Sequence, residues 1–163
     1  MLAKMLATAI LAMMTWSPKV THTSECKHAR RARSVAPLVL RAVEVVREES
    51  RSEVDPIVLS AVIVNESGAR PGVMGQDEEV GLAQIHPKGM ATIHCTDLDW
   101  RRSPQANVIC GARLLAVAEK RCGGEPGRWL GSYNGRDCGA SEYGDRILKL
   151  IERGRPAFLA SQP

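Results

Sequence analysis

Residues 55–68 read DPIVLSAVIVNESG, and no other stretch constrains the fold as tightly. Asp55 is a good helix N-cap, Pro56 suits the first helical turn, and Gly68 is the residue type that ends a helix in the left-handed conformation. Between them Ile57, Val58, Leu59, Ala61, Val62, Ile63 and Val64 cover nearly every face of the predicted helix. A helix that is apolar all round is buried rather than laid on a surface. The chain must therefore supply other helices to wrap it, and 163 residues are enough for one domain with a genuine core. The same helix carries a carboxylate in its last turn, Glu66. A charge at the edge of a core is costly unless it is paired, solvated or used.

The remaining apolar periodicity is helical, and no period-two pattern reads as a strand. Helices are predicted over 35–49, with Pro37 in the opening turn, and as a short turn over 87–93. The longest opens at Ser103 and Pro104, runs through QANVICGARLLAVAEKRC and stops at Gly123 and Gly124. A short helix in EPGRWLGSYNG stops at Gly135, and a last one is capped by Ser141 and closed by Gly154. Residues 69–83 form a glycine-containing connection. The expected organisation is a leader over 1–33, a compact all-α domain over 34–155 and a C-terminal tail over 156–163.

The leader holds six Lys or Arg against one Glu, more than the net charge of +4 of the whole chain, so the folded part is slightly acidic. The pI near 8.9 is then no argument for a nucleic-acid groove. The basic run KHARRAR reads as a solvated, flexible segment or as one attracted to an anionic wall or lipid surface. Upstream, Lys4 precedes an apolar run over 5–14 that is too short to span a bilayer but fits the core of a secretory signal. Candidate cleavage sites follow at 15–17 and 21–23, neither with the clean small-residue pattern. Export to the periplasm or the extracellular space is expected, without stable membrane insertion. Five cysteines agree with an oxidising compartment.

Cys26 lies in the leader and is expected to be the odd one out, leaving Cys95, Cys110, Cys122 and Cys138. Cys110 and Cys122 fall on one predicted helix, roughly 18 Å apart along its axis, which excludes their pairing. The favoured arrangement is Cys95–Cys110 with Cys122–Cys138, because both close short loops. A zinc site using His94 and Cys95 has no supporting ligand spacing, so no metal is expected.

Two readings of Glu66 follow from the residues alone. In one, the side chain turns outward into water at the helix end. In the other, it is held against the core, where burial and the negative end of the helix dipole both disfavour the ionised form. A carboxylic acid that keeps its proton near neutrality is what general-acid cleavage of a glycosidic bond requires.

The blocks DPIVLSAVIVNES, GLAQIHP, NVICGARLL, WLGSYNG and EYGDRIL, in that order, resemble the catalytic domain of the soluble lytic murein transglycosylases, the lysozyme-like SLT family. The resemblance covers about residues 34–153. It implies a lysozyme-like, goose-type/SLT fold that acts on peptidoglycan glycan strands without a cofactor. It places the acid/base on Glu66, followed by Ser67, and the sugar-binding loop on Gly81, Leu82, Gln84 and Ile85. Ala83 stands where the family usually has Met, which would trim one apolar wall of the groove. Tyr133 and Asn134 are implied in sugar binding, and Tyr143 in orienting the catalytic carboxylate. Each has a plainer reading beside it: Gln84 as a loop cap, Tyr133 as core, Asn134 as a helix stop. Trp129 reads as core, Trp100 stays ambiguous, and His86 and His94 receive no role.

The implied chemistry needs one carboxylate. It cleaves the β-1,4 bond between N-acetylmuramic acid and N-acetylglucosamine and closes a 1,6-anhydro ring. QDEE, with Asp77, Glu78 and Glu79, departs from the small residues usual at that place. It offers a second carboxylate for a goose-type, hydrolytic alternative. A third reading is a catalytically silent wall-binding or assembly module. The expected state is a monomer, with any secretion, conjugation or phage partner undetermined.

Overall fold

A computed structural model describes residues 1–16, 25–135 and 137–162. Among them lie seven helices: α1 (Leu2–Met14), α2 (Glu25–Ser50), α3 (Pro56–Ser67), α4 (Ala91–His94), α5 (Pro104–Cys122), α6 (Pro126–Tyr133) and α7 (Glu142–Leu159). No strand forms among the described residues. Met74 with Val80 and Val80 with Ile85 make isolated antiparallel bridges in the long α3–α4 connection.

The buried helix is where the sequence puts it. The Asp55 carboxylate accepts the Ile57 N–H at 2.7 Å, Pro56 occupies the first turn, and Gly68 closes the helix at φ 59°. α1, α2, α5 and α7 pack around α3, so Leu59, Ala61, Val62, Ile63 and Val64 lose all contact with solvent. Each such aliphatic side chain contributes about 1.5–3 kcal/mol relative to leaving it in water. Ser103 caps α5 through Ala106 N–H, and Ser141 caps α7 through Gly144 N–H.

Three boundaries differ from the sequence expectation. The apolar run of the leader is α1, and its Leu6, Ile10 and Met13 are fully buried against α7, α2 and α3 rather than free. α2 begins at Glu25, ten residues before the predicted start, because KHARRAR already carries a helical inward face. His28, Ala32, Val35, Ala36 and Val39 point into the core at steps of three and four, while the intervening basic residues lie outside. α7 runs past Gly154 and through Pro156 to Leu159. Gly154 is there not to stop the helix but to let α1 approach, since a side chain at that position would collide with Met13. The first candidate cleavage site lies partly, and the second wholly, outside the described residues.

Both expected disulfides form, Cys95–Cys110 and Cys122–Cys138, with Cα separations of 5.6 and 5.4 Å. Cys26 is free and exposed. Arg113 on α5 makes paired hydrogen bonds to both Glu49 at the end of α2 and Asp97 after α4, which ties these three segments at the surface.

Candidate active site

Glu66 lies in the last turn of α3, half-buried, and opens onto a cleft of about 670 Å³. The outward-turned reading of this side chain is therefore replaced by one in which it faces a cavity. Tyr143, the second residue of α7, donates its hydroxyl to Glu66 Oε1 at 2.6 Å. Asn65 Nδ2 donates to the same oxygen at 3.4 Å. Burial first, and the adjacent Glu66 carboxylate second, hold the Tyr143 phenol well above its ordinary value, so it is a donor at any physiological pH. Arg146 lies over the Tyr143 ring at 5.9 Å from its centre.

The two sides of the cleft come from different parts of the chain. One lip is the stretch from Gly75 to Ala91, with Gln84 and Ile85. The other is the end of α6, with Tyr133 and Asn134. Of the sequence-derived candidates, Glu66, Gln84, Ile85, Tyr133 and Asn134 meet at this cleft. The remainder sit behind it. Ser67 is fully buried, bonds the Ile63 carbonyl and accepts the Arg70 N–H. Leu82 is core, and Gly81 turns the chain at φ 82°.

Two candidates work differently from what the sequence alone suggests. The Tyr133 hydroxyl is committed to the Ala83 carbonyl at 2.9 Å, and its ring stacks on Tyr143 with centres 6.3 Å apart. Burial and the Glu66 charge keep this phenol, too, well above its usual value. Ala83 does not trim a cleft wall. It is fully buried, and a Cβ on Gly111 of α5 would lie 2.7 Å from its own Cβ, a spacing with no room for a longer side chain. Trp129 is core, as its sequence position indicates, and Trp100 sits in the second apolar cluster with Arg101 stacked over it.

Sequence reasoning passed over Asn107, an amide on α5 that is 1% exposed and bonded to the loop carrying Gln84. The only signal was one polar residue between Ala106 and Val108 in an otherwise apolar stretch. His86 lines the cleft and accepts the Lys88 N–H on Nδ1 at 3.0 Å. Asp77 and Glu79 also line it, and a Glu79 oxygen accepts the Asp77 N–H at 3.1 Å. No group of metal-ligating side chains occurs among the described residues.

This arrangement belongs to a recognisable class. Residues 45–146 match the family model of the Transglycosylase SLT domain, and the chain is a member of that family, with its all-α, lysozyme-like fold. Endo-type membrane-bound lytic murein transglycosylase A from two strains of Klebsiella pneumoniae is 31% identical over 74 residues. That alignment covers 40% of this chain and 36% of each relative, so the chain matches about a third of their length. No solved structure gives a significant match.

Proposed function

We propose that the protein is a peptidoglycan lytic transglycosylase with Glu66 as its single acid/base. The observation that carries this reading is a carboxylate at the mouth of a 670 Å³ cleft, oriented by a tyrosine hydroxyl at 2.6 Å. The protonated Glu66 gives its hydrogen to the oxygen joining C1 of N-acetylmuramic acid to the next N-acetylglucosamine. The C1–O bond breaks, and the 2-acetamido group stabilises the positive charge that develops at C1. Glu66, now a carboxylate, takes the proton from the muramic acid C6 hydroxyl, and O6 bonds to C1. Charge and protons balance with no water consumed. The nucleophile is tethered to the sugar being cleaved, so its effective concentration replaces a positioned water. The Tyr143 hydroxyl, 2.6 Å from Oε1, fixes the orientation of the carboxyl group for both proton transfers.

Family membership and the named activity of the relatives support this substrate class. Two disulfides support work in an oxidising compartment, where a wall polymer would be met. No described helix is long and apolar enough to cross a membrane. No organic cofactor or metal enters the scheme, and the enzyme is expected to act as a monomer.

One observation favours a second reading. Asp77 and Glu79 line the same cleft as Glu66, so a carboxylate from this lip holding a water would make the enzyme a hydrolase. In either case Glu66 is indispensable. Glu66→Gln should lower turnover on purified peptidoglycan about 1,000-fold while leaving the thermal melt in place. A variant that keeps wild-type activity would return the protein to the class of silent wall-binding modules.

A further inference from the structure

The segment from Val80 to Ile85 is a tight reversal. Its ends pair through Val80 N–H to the Ile85 carbonyl at 3.1 Å and Ile85 N–H to the Val80 carbonyl at 3.0 Å. Inside it, Gly81 has φ 82° and Gln84 has φ 45°. For glutamine a left-handed backbone is unfavourable and persists only where neighbours impose it. Gln84 and Ile85 are the residues this reversal presents to the cleft.

Gln84's own amide supplies part of the imposition, donating to the Val73 carbonyl at 3.0 Å and the Gly81 carbonyl at 2.9 Å, and Asn107 supplies the part that comes from α5. The Asn107 amide oxygen accepts the Ala83 N–H at 2.8 Å, and its NH2 donates to the Val80 carbonyl at 2.8 Å and the Trp100 carbonyl at 3.1 Å. Both N–H groups and the carbonyl of this buried amide are thus used, all on backbone. The loop is pressed so close that a Cβ on Gly81 would lie 2.6 Å from Asn107 Nδ2. Ala83 is consequently gripped at both ends of its main chain, with its N–H held by Asn107 and its carbonyl by Tyr133. Tyr133 stacks on Tyr143, whose hydroxyl reaches Glu66.

We infer that Asn107 is a positioning residue for the glycan cleft. It fixes the backbone of the 80–85 reversal on α5, and through it the place of Gln84 and of the Tyr133 hydroxyl. Its own hydrogen bonds end on backbone and none on Glu66, which it reaches only through the stacked Tyr133 and Tyr143, so its effect falls on sugar binding first. The inference rests on reading the cleft as a glycan site. The rival is a buried amide needed for folding alone, and the two differ in what they do to KM.

The test compares the wild type with Asn107→Ala, Asn107→Asp and Val39→Ala, the last a core truncation on α2 away from the cleft. Melts are recorded first, and kinetics on soluble glycan fragments are then taken well below the lowest transition. Asn107→Ala should raise KM about ten-fold or more, change kcat by less than about three-fold and leave the pH profile in place. Asn107→Asp keeps the acceptor for Ala83 but turns a second acceptor toward the Val80 and Trp100 carbonyls, so its KM should rise at least as far as that of Asn107→Ala. Val39→Ala should lower the melt and not KM. An Asn107→Ala enzyme with wild-type KM, or one whose loss follows its unfolded fraction as in Val39→Ala, overturns the inference.

Should neither Asn107 variant fold, amide exchange of the wild type decides. Protection of the 81–85 amides equal to that of α5 supports the clamp, and their exchange by a separate local opening overturns it. A wild type that neither binds nor cleaves glycan would defeat the functional reading instead, and the exchange measurement would still judge the clamp.

Discussion

The hydroxyl of Tyr143 cannot leave its proton to solvent, because burial and the neighbouring carboxylate both oppose phenolate formation. It therefore remains a donor to Glu66 throughout the working pH range, and such a donor stabilises the ionised carboxylate. Removing it in Tyr143→Phe makes the acid easier to protonate. A general acid loses activity as pH rises through its pKa, so the alkaline limb of kcat/KM should move to higher pH, with kcat about ten-fold lower from lost orientation. A pH–rate series would show this, and an unmoved limb with full kcat would contradict the role. The residues alone left Glu66 between two readings, and it was the resemblance of the surrounding blocks that turned it toward a cleft, which the side chain lines. Asn107 was not legible in sequence, since a single amide in a helix reads as surface until the loop bonded to it is seen. The backbone clamp on Ala83 was hidden for the same reason: main-chain partners leave no residue pattern.

At the scale of elements, α1 shows what composition leaves open. A short apolar run behind one lysine reads as a secretory signal, and the same run makes a core helix once a partner groove exists. The groove is read only in three dimensions, through Gly154 under Met13, a hundred and forty residues apart in order of magnitude and invisible to a local pattern. Leu6, Ile10 and Met13 are fully buried, and their removal would cost several kcal/mol against a typical total of about 5–15 kcal/mol. A chain lacking residues 1–16 should therefore melt at least about 10 °C lower or lose its cooperative transition. Circular dichroism would detect it, and an unchanged melt would show α1 to be dispensable. α3, α5 and α6, by contrast, were predicted closely, because Asp55, Ser103, Pro126 and the glycines that follow each helix punctuate them in sequence.

For the molecule as a whole, α5 is the spine on which the cleft is mounted. Cys110 ties it to Cys95, beyond the lip that carries Gln84, and Cys122 ties it to Cys138, just after the lip that carries Asn134. Each disulfide closes a loop of fifteen or sixteen residues and should contribute about 3 kcal/mol. A Cys122→Ser, Cys138→Ser double variant should stay helical, lose about that much stability and show a raised KM as the Asn134 lip loosens. An unaltered KM would mean that the bridge serves stability alone. Helix geometry excluded one pairing and short loop closure favoured the one that forms, whereas the cleft shape, which depends on how two distant lips face each other, left no such trace.

The central claim is that one carboxylate, Glu66, performs an internal ring closure rather than delivering water. Mass spectrometry of peptidoglycan digested by the purified protein tests it most directly. The account predicts fragments ending in 1,6-anhydromuramic acid, about 18 mass units lighter than hydrolysis products because no water is added. Fragments with reducing N-acetylmuramic acid ends, incorporating oxygen from labelled water, would contradict it and assign the chemistry to hydrolysis.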